Sequence, residues 1–169
     1  MRILHVDNDV GSRDIVTYVL EQAGHEVATA STPDVALAVA RNGRFDLFIL
    51  ENRYQTESGV ELCKKIRGFD PGARILFYLS QGNEMDISDG LAAGAKAYVL
   101  KPELDNLQAA IECLRADASI NPIVGRNERN ETPWDALQEV LKPGAQRQRV
   151  ANKSVHIRGG VASASATRG

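Results

Sequence analysis

Asp46-Leu47-Phe48-Ile49-Leu50-Glu51 decides how the rest of the chain is read. Four apolar residues in a row, closed by an acid, fit a strand covered on both faces rather than a half-exposed one. Such strands belong to parallel sheets, where each connection is a long crossover and usually a helix. The flanking sequence supplies those crossovers on both sides. Upstream, Thr32-Pro33 opens a helical pattern carrying Val35, Leu37, Val39 and Ala40, and Val27 to Ala30 precedes it as a strand. Further back, Ile3 to Val6 reads as the first strand. Ile15, Val16, Val19, Leu20 and Ala23 follow at helical spacing, and Gly24 suits the end of that helix. Downstream, Val60, Leu62, Cys63 and Ile66 mark a helix and Arg74 to Leu79 a strand. Ile87 and Leu91 mark a weaker helix, Ala97 to Leu100 the last strand, and Leu104, Leu107, Ile111 and Leu114 the last helix.

Five strands alternating with five helices predict an α/β fold, a doubly wound five-stranded parallel sheet over residues 1–117. The chain of 169 residues suits one domain and a tail. No stretch approaches the ~20 apolar residues of a membrane helix, and the N-terminus meets Asp7 too early for a signal peptide. Cys63 and Cys113 lack metal spacing and are too few for a disulfide scaffold, so a cytoplasmic location is expected. The formal net charge of −2 is a balance of unlike halves: −6 over residues 1–117 and +4 over residues 118–169.

In an open parallel sheet, ligands bind beyond the carboxyl ends of the strands. Those positions hold Asp7, Asn8 and Asp9 after strand one, Glu51 after strand three, Ser80 after strand four and Lys101-Pro102 after strand five. Carboxylates, a hydroxyl and an ammonium on one rim suit a Mg²⁺ site that handles a phosphoryl group.

Over residues 2 to about 116 the sequence resembles the receiver domain of bacterial response regulators, a flavodoxin-like (βα)₅ module of two-component phosphorelay signalling. The resemblance is carried by Ile3 to Asp9, by Asp46 to Glu51 with Gly59 eight residues on, by Leu79-Ser80, and by Gly94 to Pro102. It implies that Asp7 is the first acid of a Mg²⁺-holding pair and that Ser80 and Lys101 contact the phosphoryl group. It also implies that Tyr98 is the switch aromatic and that Lys101-Pro102 is cis. Two positions depart from the family pattern: Asn8 stands for the second acid and Glu51 for the phosphoacceptor aspartate. Tyr54-Gln55 further replaces the common Met-Pro.

These departures bear on mechanism. Asn8 keeps an oxygen but loses a charge, so Mg²⁺ at Asp7, Asn8 and Glu51 is expected to be weakened or lost. Glu51 is longer than Asp by one carbon–carbon bond, about 1.5 Å, more than an in-line nucleophile tolerates. Phosphoacceptance at Glu51 is therefore expected to be absent or impaired, with Glu51 reaching instead towards Lys101 and Ser80 as an ion pair.

The other residues carry less. His5 reads as a buried neutral core histidine, and neither cysteine nor any Ser/His/Asp set is placed for nucleophilic catalysis, so no enzyme is expected. Gly11, Gly24 and Gly43 punctuate helix ends and build no phosphate-cradling loop. In residues 118–169, Thr132-Pro133-Trp134-Asp135 predicts a short helix near 133–142 with Trp134, Leu137 and Leu141 on one stripe, and the remainder reads as disordered. With no helix-turn-helix pattern, nucleic-acid binding is not expected, whereas docking of the basic tail on the acidic body is a testable contact. Overall the chain reads as a stand-alone atypical receiver acting by protein contact, with a histidine kinase or other signalling protein as partner, a homodimer as a further option, and no membrane. The alternative is a phosphate-independent pseudo-receiver interaction module. A flavodoxin-like cofactor binder is disfavoured because no flavin-phosphate loop and no cobalamin motif appear.

Overall fold

A computed structural model of the chain describes residues 1–81, 84–116 and 123–124. Five strands, β1 (Arg2–Val6), β2 (Glu26–Ala30), β3 (Leu47–Leu50), β4 (Ile75–Leu79) and β5 (Ala97–Leu100), alternate with five helices. The helices are α1 (Val10–Gln22), α2 (Pro33–Asn42), α3 (Gly59–Phe69), α4 (Glu84–Ala92) and α5 (Leu104–Arg115). All strand pairs are parallel, in the order β2-β1-β3-β4-β5. A two-residue strand that the sequence reading did not place, β6 (Ile123–Val124), adds in parallel to β5 beyond residue 117. The expected helix near 133–142 and the rest of the basic segment lie outside the described residues.

The continuous apolar strands are explained by two separate cores. Side chains alternate across a strand, so Leu47 and Ile49 face one side of the sheet and Phe48 and Leu50 the other. Val16 and Leu20 of α1 and Leu107, Ile111 and Leu114 of α5 cover the first side. Leu37 of α2, Leu62 and Ile66 of α3 and Ile87 of α4 cover the second. Ile15 and Val35, read with the apolar faces of their helices, are about half exposed, at 52% and 46%. Both helices are narrower in their apolar stripe than the sequence pattern suggested.

Helix starts follow their capping residues. Thr32 accepts from the Val35 N–H with Pro33 at the first helical position, and Ser58 accepts from the Glu61 N–H at the head of α3. Gly24, at φ +82°, closes α1 in the left-handed region that only glycine enters without strain. Gly59 is required by close approach: a Cβ there would lie 2.2 Å from the Glu51 carbonyl oxygen and 2.7 Å from the Phe77 ring. Gly59→Ala is therefore expected to destabilise the fold by about 1–3 kcal/mol through overpacking, read as a lower urea midpoint. An unchanged midpoint would show that the β3–α3 connection yields.

Candidate functional site

Strand ends bring the site together at one rim. β1 delivers Asp7, β3 delivers Glu51, β4 delivers Ser80 and β5 delivers Lys101. The Lys101–Pro102 peptide is cis. Asp7 and Glu51 are both buried, at 1% and 7% exposure, and the Lys101 ammonium stands between them. Lys101 Nζ lies 2.5 Å from Asp7 Oδ2 and 2.9 Å from Glu51 Oε2. Ser80 donates to the same Glu51 oxygen from its backbone N–H and from its hydroxyl, each at 3.2 Å. Glu51 Oε1 accepts from the Asn52 N–H at 2.7 Å. The four side chains thus form one network with the glutamate at its centre.

Electrostatics keep Asp7 and Lys101 charged. Burial pushes the Asp7 carboxyl up, but hydrogen bonds from Lys101, Ser12 and the Asp9 N–H, with the Lys101 charge, leave it below the ordinary carboxylate range. Burial pushes Lys101 down, and the bonds and charges of Asp7 and Glu51 outweigh that and raise it. Asp7 therefore contributes stability that is present above its unfolded pKa and lost as pH falls through its depressed folded value. Lys101 contributes stability that is present below its unfolded pKa and lost as pH rises through its raised folded value. Beneath them, His5 is 1% exposed and pushed down to about 4, chiefly by burial, with Asp7 opposing. It is a neutral core side chain near pH 7, with Nε2 3.7 Å from Asp7 Oδ2.

The remaining rim residues line an open cleft of about 350 Å³ with Asp7, Glu51 and Ser80: Asn8, Asp9, Arg53 and Gln81. Asn8 is exposed. Asp9 is committed to the helix, where it caps α1 by accepting from the Ser12 N–H at 2.6 Å. Tyr98 is not at the rim. It lies buried in β5, stacked on Phe77 at 5.0 Å and 9°, with its hydroxyl pressed against Gly90 of α4. A Cβ at Gly90 would fall 1.4 Å from that hydroxyl. Gly90→Ala is thus expected to expel the Tyr98 ring from its slot, seen as loss of nuclear Overhauser contacts between Tyr98 and Phe77. Retention of those contacts would mean that α4 shifts instead.

Two residues that the sequence reading gave no part complete the site. Ser12 Oγ donates to Asp7 Oδ2 at 2.7 Å, and the Tyr54 hydroxyl sits between the ends of β1 and β3. Ser12 lies three residues past the Asp9 cap, in the first turn of α1, which was the available signal. Tyr54 was visible only as a departure from a family pattern.

The donors Asp7, Asn8 and Glu51 can be tested against a divalent cation. The converging oxygens of both carboxylates hold an ammonium, and their other oxygens accept from backbone N–H groups of Asp9 and Asn52. Asn8 adds no charge. Among the described residues, no group of three or more His, Cys, Asp or Glu side chains is arranged to hold a metal ion. As arranged, the oxygens that Asp7 and Glu51 turn towards each other are engaged by Lys101.

A parallel (βα)₅ sheet with acid, hydroxyl and lysine at its carboxyl rim defines a flavodoxin-like module. Residues 3–112 match the response regulator receiver domain, and the chain belongs to that family. It is 31% identical over 130 residues to the transcriptional regulatory protein AfsQ1 of Streptomyces coelicolor, a match covering 77% of this chain and 54% of AfsQ1. The chain thus spans about half the length of that curated relative. Among solved structures, chemotaxis protein CheY4 of Vibrio cholerae superposes with a TM-score of 0.64 at 28% identity, covering 67% of this chain and 97% of CheY4. The response regulator TrrA of Thermotoga maritima, solved with Mg²⁺ and beryllium fluoride, gives 0.62 at 29% identity, covering 67% and 97%. Receiver domains are signalling modules of two-component systems and bind Mg²⁺ in general. No helix among the described residues is long and apolar enough to cross a membrane.

Proposed function

We propose that this chain is an atypical receiver whose phosphorylation switch is absent or impaired and which acts by protein–protein contact. One observation carries the reading: a single oxygen of Glu51 accepts from both donors of Ser80 and pairs with Lys101. Ser80 and Lys101 match the groups that in the family contact the phosphoryl group, and here a carboxylate of the protein's own already engages them. Glu51 stands where the phosphoacceptor aspartate would be, and its extra methylene carries the carboxylate past the nucleophile's place into the phosphate's. Asn8 in place of the second acid, and Lys101 between Asp7 and Glu51, weaken Mg²⁺ binding. Tyr98, the switch aromatic by family position, is already packed inward.

With that switch absent or impaired, the partner is a histidine kinase or other signalling protein recognised by contact. Full phosphate independence, a pseudo-receiver, is favoured over residual phosphoacceptance by the same filled site. Incubating the full chain with acetyl phosphate and Mg²⁺ tests this by intact mass. The expected result is no phosphoryl adduct. An adduct removed by Glu51→Ala would overturn the proposal.

A further inference from the structure

The two carboxylates that share Lys101 come from different strands, so something must set their separation. Asp7 directly follows Val6, the last residue of β1, and Glu51 directly follows Leu50, the last residue of β3. The Tyr54 hydroxyl stands between these two ends. It accepts from the Glu51 N–H at 3.0 Å and donates to the Val6 carbonyl at 3.0 Å. The Glu51 N–H also donates directly to that carbonyl at 3.1 Å, so the hydroxyl adds a second link to a three-membered junction at the point where both acids leave the sheet.

The loop that carries Tyr54 is itself closed. Arg53 and Ser58 form an antiparallel bridge, the Tyr54 N–H donates to the Glu57 carbonyl at 3.1 Å, and the Gly59 N–H donates to the Asn52 carbonyl at 2.7 Å. Lys65 of α3 pairs with Glu57 from outside. The phenol ring packs against the core on the α2, α3 and α4 side of the sheet. Burial, with Glu51 and Asp7 nearby, holds its hydroxyl in the protonated form, able to donate to Val6.

We infer that Tyr54 is a positioning residue: its hydroxyl fixes the spacing of Asp7 and Glu51 so that one ammonium satisfies both. The inference rests on the proposed function, because it assigns the group that holds the Glu51–Lys101 pair in place. The Lys101 contacts of 2.5 and 2.9 Å leave little slack, since charge-assisted bonds weaken steeply once their geometry opens. Tyr54→Phe removes the hydroxyl and keeps the ring. It leaves no orphaned backbone group, because the Glu51 N–H and Val6 carbonyl still face each other.

The side-chain ammonium of Lys101, observed by ¹⁵N–¹H NMR in the full chain, is the readout. A buried, doubly paired ammonium exchanges its protons slowly enough to be seen, and Lys101→Met assigns the signal by its disappearance. The expected result is a Lys101 signal in the parent and its loss in Tyr54→Phe, with backbone amides remote from the rim unchanged. Ser12→Ala, which removes a bond to Asp7 without touching the strand junction, is expected to keep the signal. A Tyr54→Phe spectrum that retains the parent's signal overturns the inference and leaves the proposed function standing. Absence of the signal in the parent overturns the proposed function first. Should Tyr54→Phe not fold, Tyr54→Met read in the same way decides.

Discussion

A chain carrying both Asn8→Asp and Glu51→Asp is expected to accept a phosphoryl group from acetyl phosphate with Mg²⁺, at least about 100-fold faster than the parent. On the proposed reading, the parent site differs from a phosphate-ready one in two separable ways. Glu51 carries its carboxylate onto Ser80 and Lys101, and Asn8 provides an oxygen without charge at the rim. Shortening residue 51 by about 1.5 Å withdraws the carboxylate from those donors and leaves them free for incoming phosphate. Restoring the acid at position 8 adds a negative ligand for the cation that must neutralise the transferring group. Each change alone is expected to give much less, because a nucleophile without metal and a metal without a placed nucleophile both fail. Intact mass with and without a chelator checks this. A double variant as inert as the parent would mean that residues outside this pair, such as the Tyr54 loop, keep the site closed.

Removing the ammonium has the second largest expected effect. Lys101→Met leaves Asp7 and Glu51 facing each other, buried and without their shared cation. Breaking a buried charge pair from one side typically costs about 3–5 kcal/mol. Solvent reaches the cleft above this pair, so the lower end, about 3 kcal/mol, is the expectation here. The pH dependence identifies the cause. In the parent, the depressed Asp7 makes stability fall as pH drops through its folded pKa. In Lys101→Met, the buried Asp7 loses the cation that holds its carboxyl down, so stability at neutral pH is low and recovers on mild acidification as a proton is taken up. Between neutral and mildly acid pH the urea midpoint is expected to stay level in the parent and to rise in Lys101→Met. Parallel trends would show that Lys101 acts through packing on Tyr78, whose ring centroid is 5.5 Å from Nζ, and not through the pair.

The legible parts of this molecule are those that a local pattern encodes. Leu47 to Leu50 is apolar at every position because both faces of β3 are covered, and that pattern alone implies crossovers and a parallel sheet. Strand ends are equally legible, since the rule placing sites beyond the carboxyl ends singles out Asp7, Glu51, Ser80 and Lys101 without knowledge of their contacts. Tertiary contacts that depend on a side chain folding back are not. Tyr54 returns under β3 to reach Val6, 48 residues earlier in the chain, and nothing in the order of residues announces the hydroxyl's target. Asp9 shows the reverse case. It sits among the rim acids in sequence, yet it spends its carboxylate on the head of α1, as acids at helix starts commonly do. β6 is too short to carry any period, and only its pairing with Tyr98 and Val99 defines it.

On the proposed reading, Glu51 already fills the place of the phosphate. The most direct measurement is an NMR titration of the full chain with beryllium fluoride in the presence of Mg²⁺, following the amides of Asn8, Asn52, Ser80 and Lys101. No saturable shift is expected at these four positions in the parent, and saturable shifts are expected once Asn8→Asp and Glu51→Asp are both introduced. Saturable shifts at Ser80 and Lys101 in the unaltered chain would contradict it.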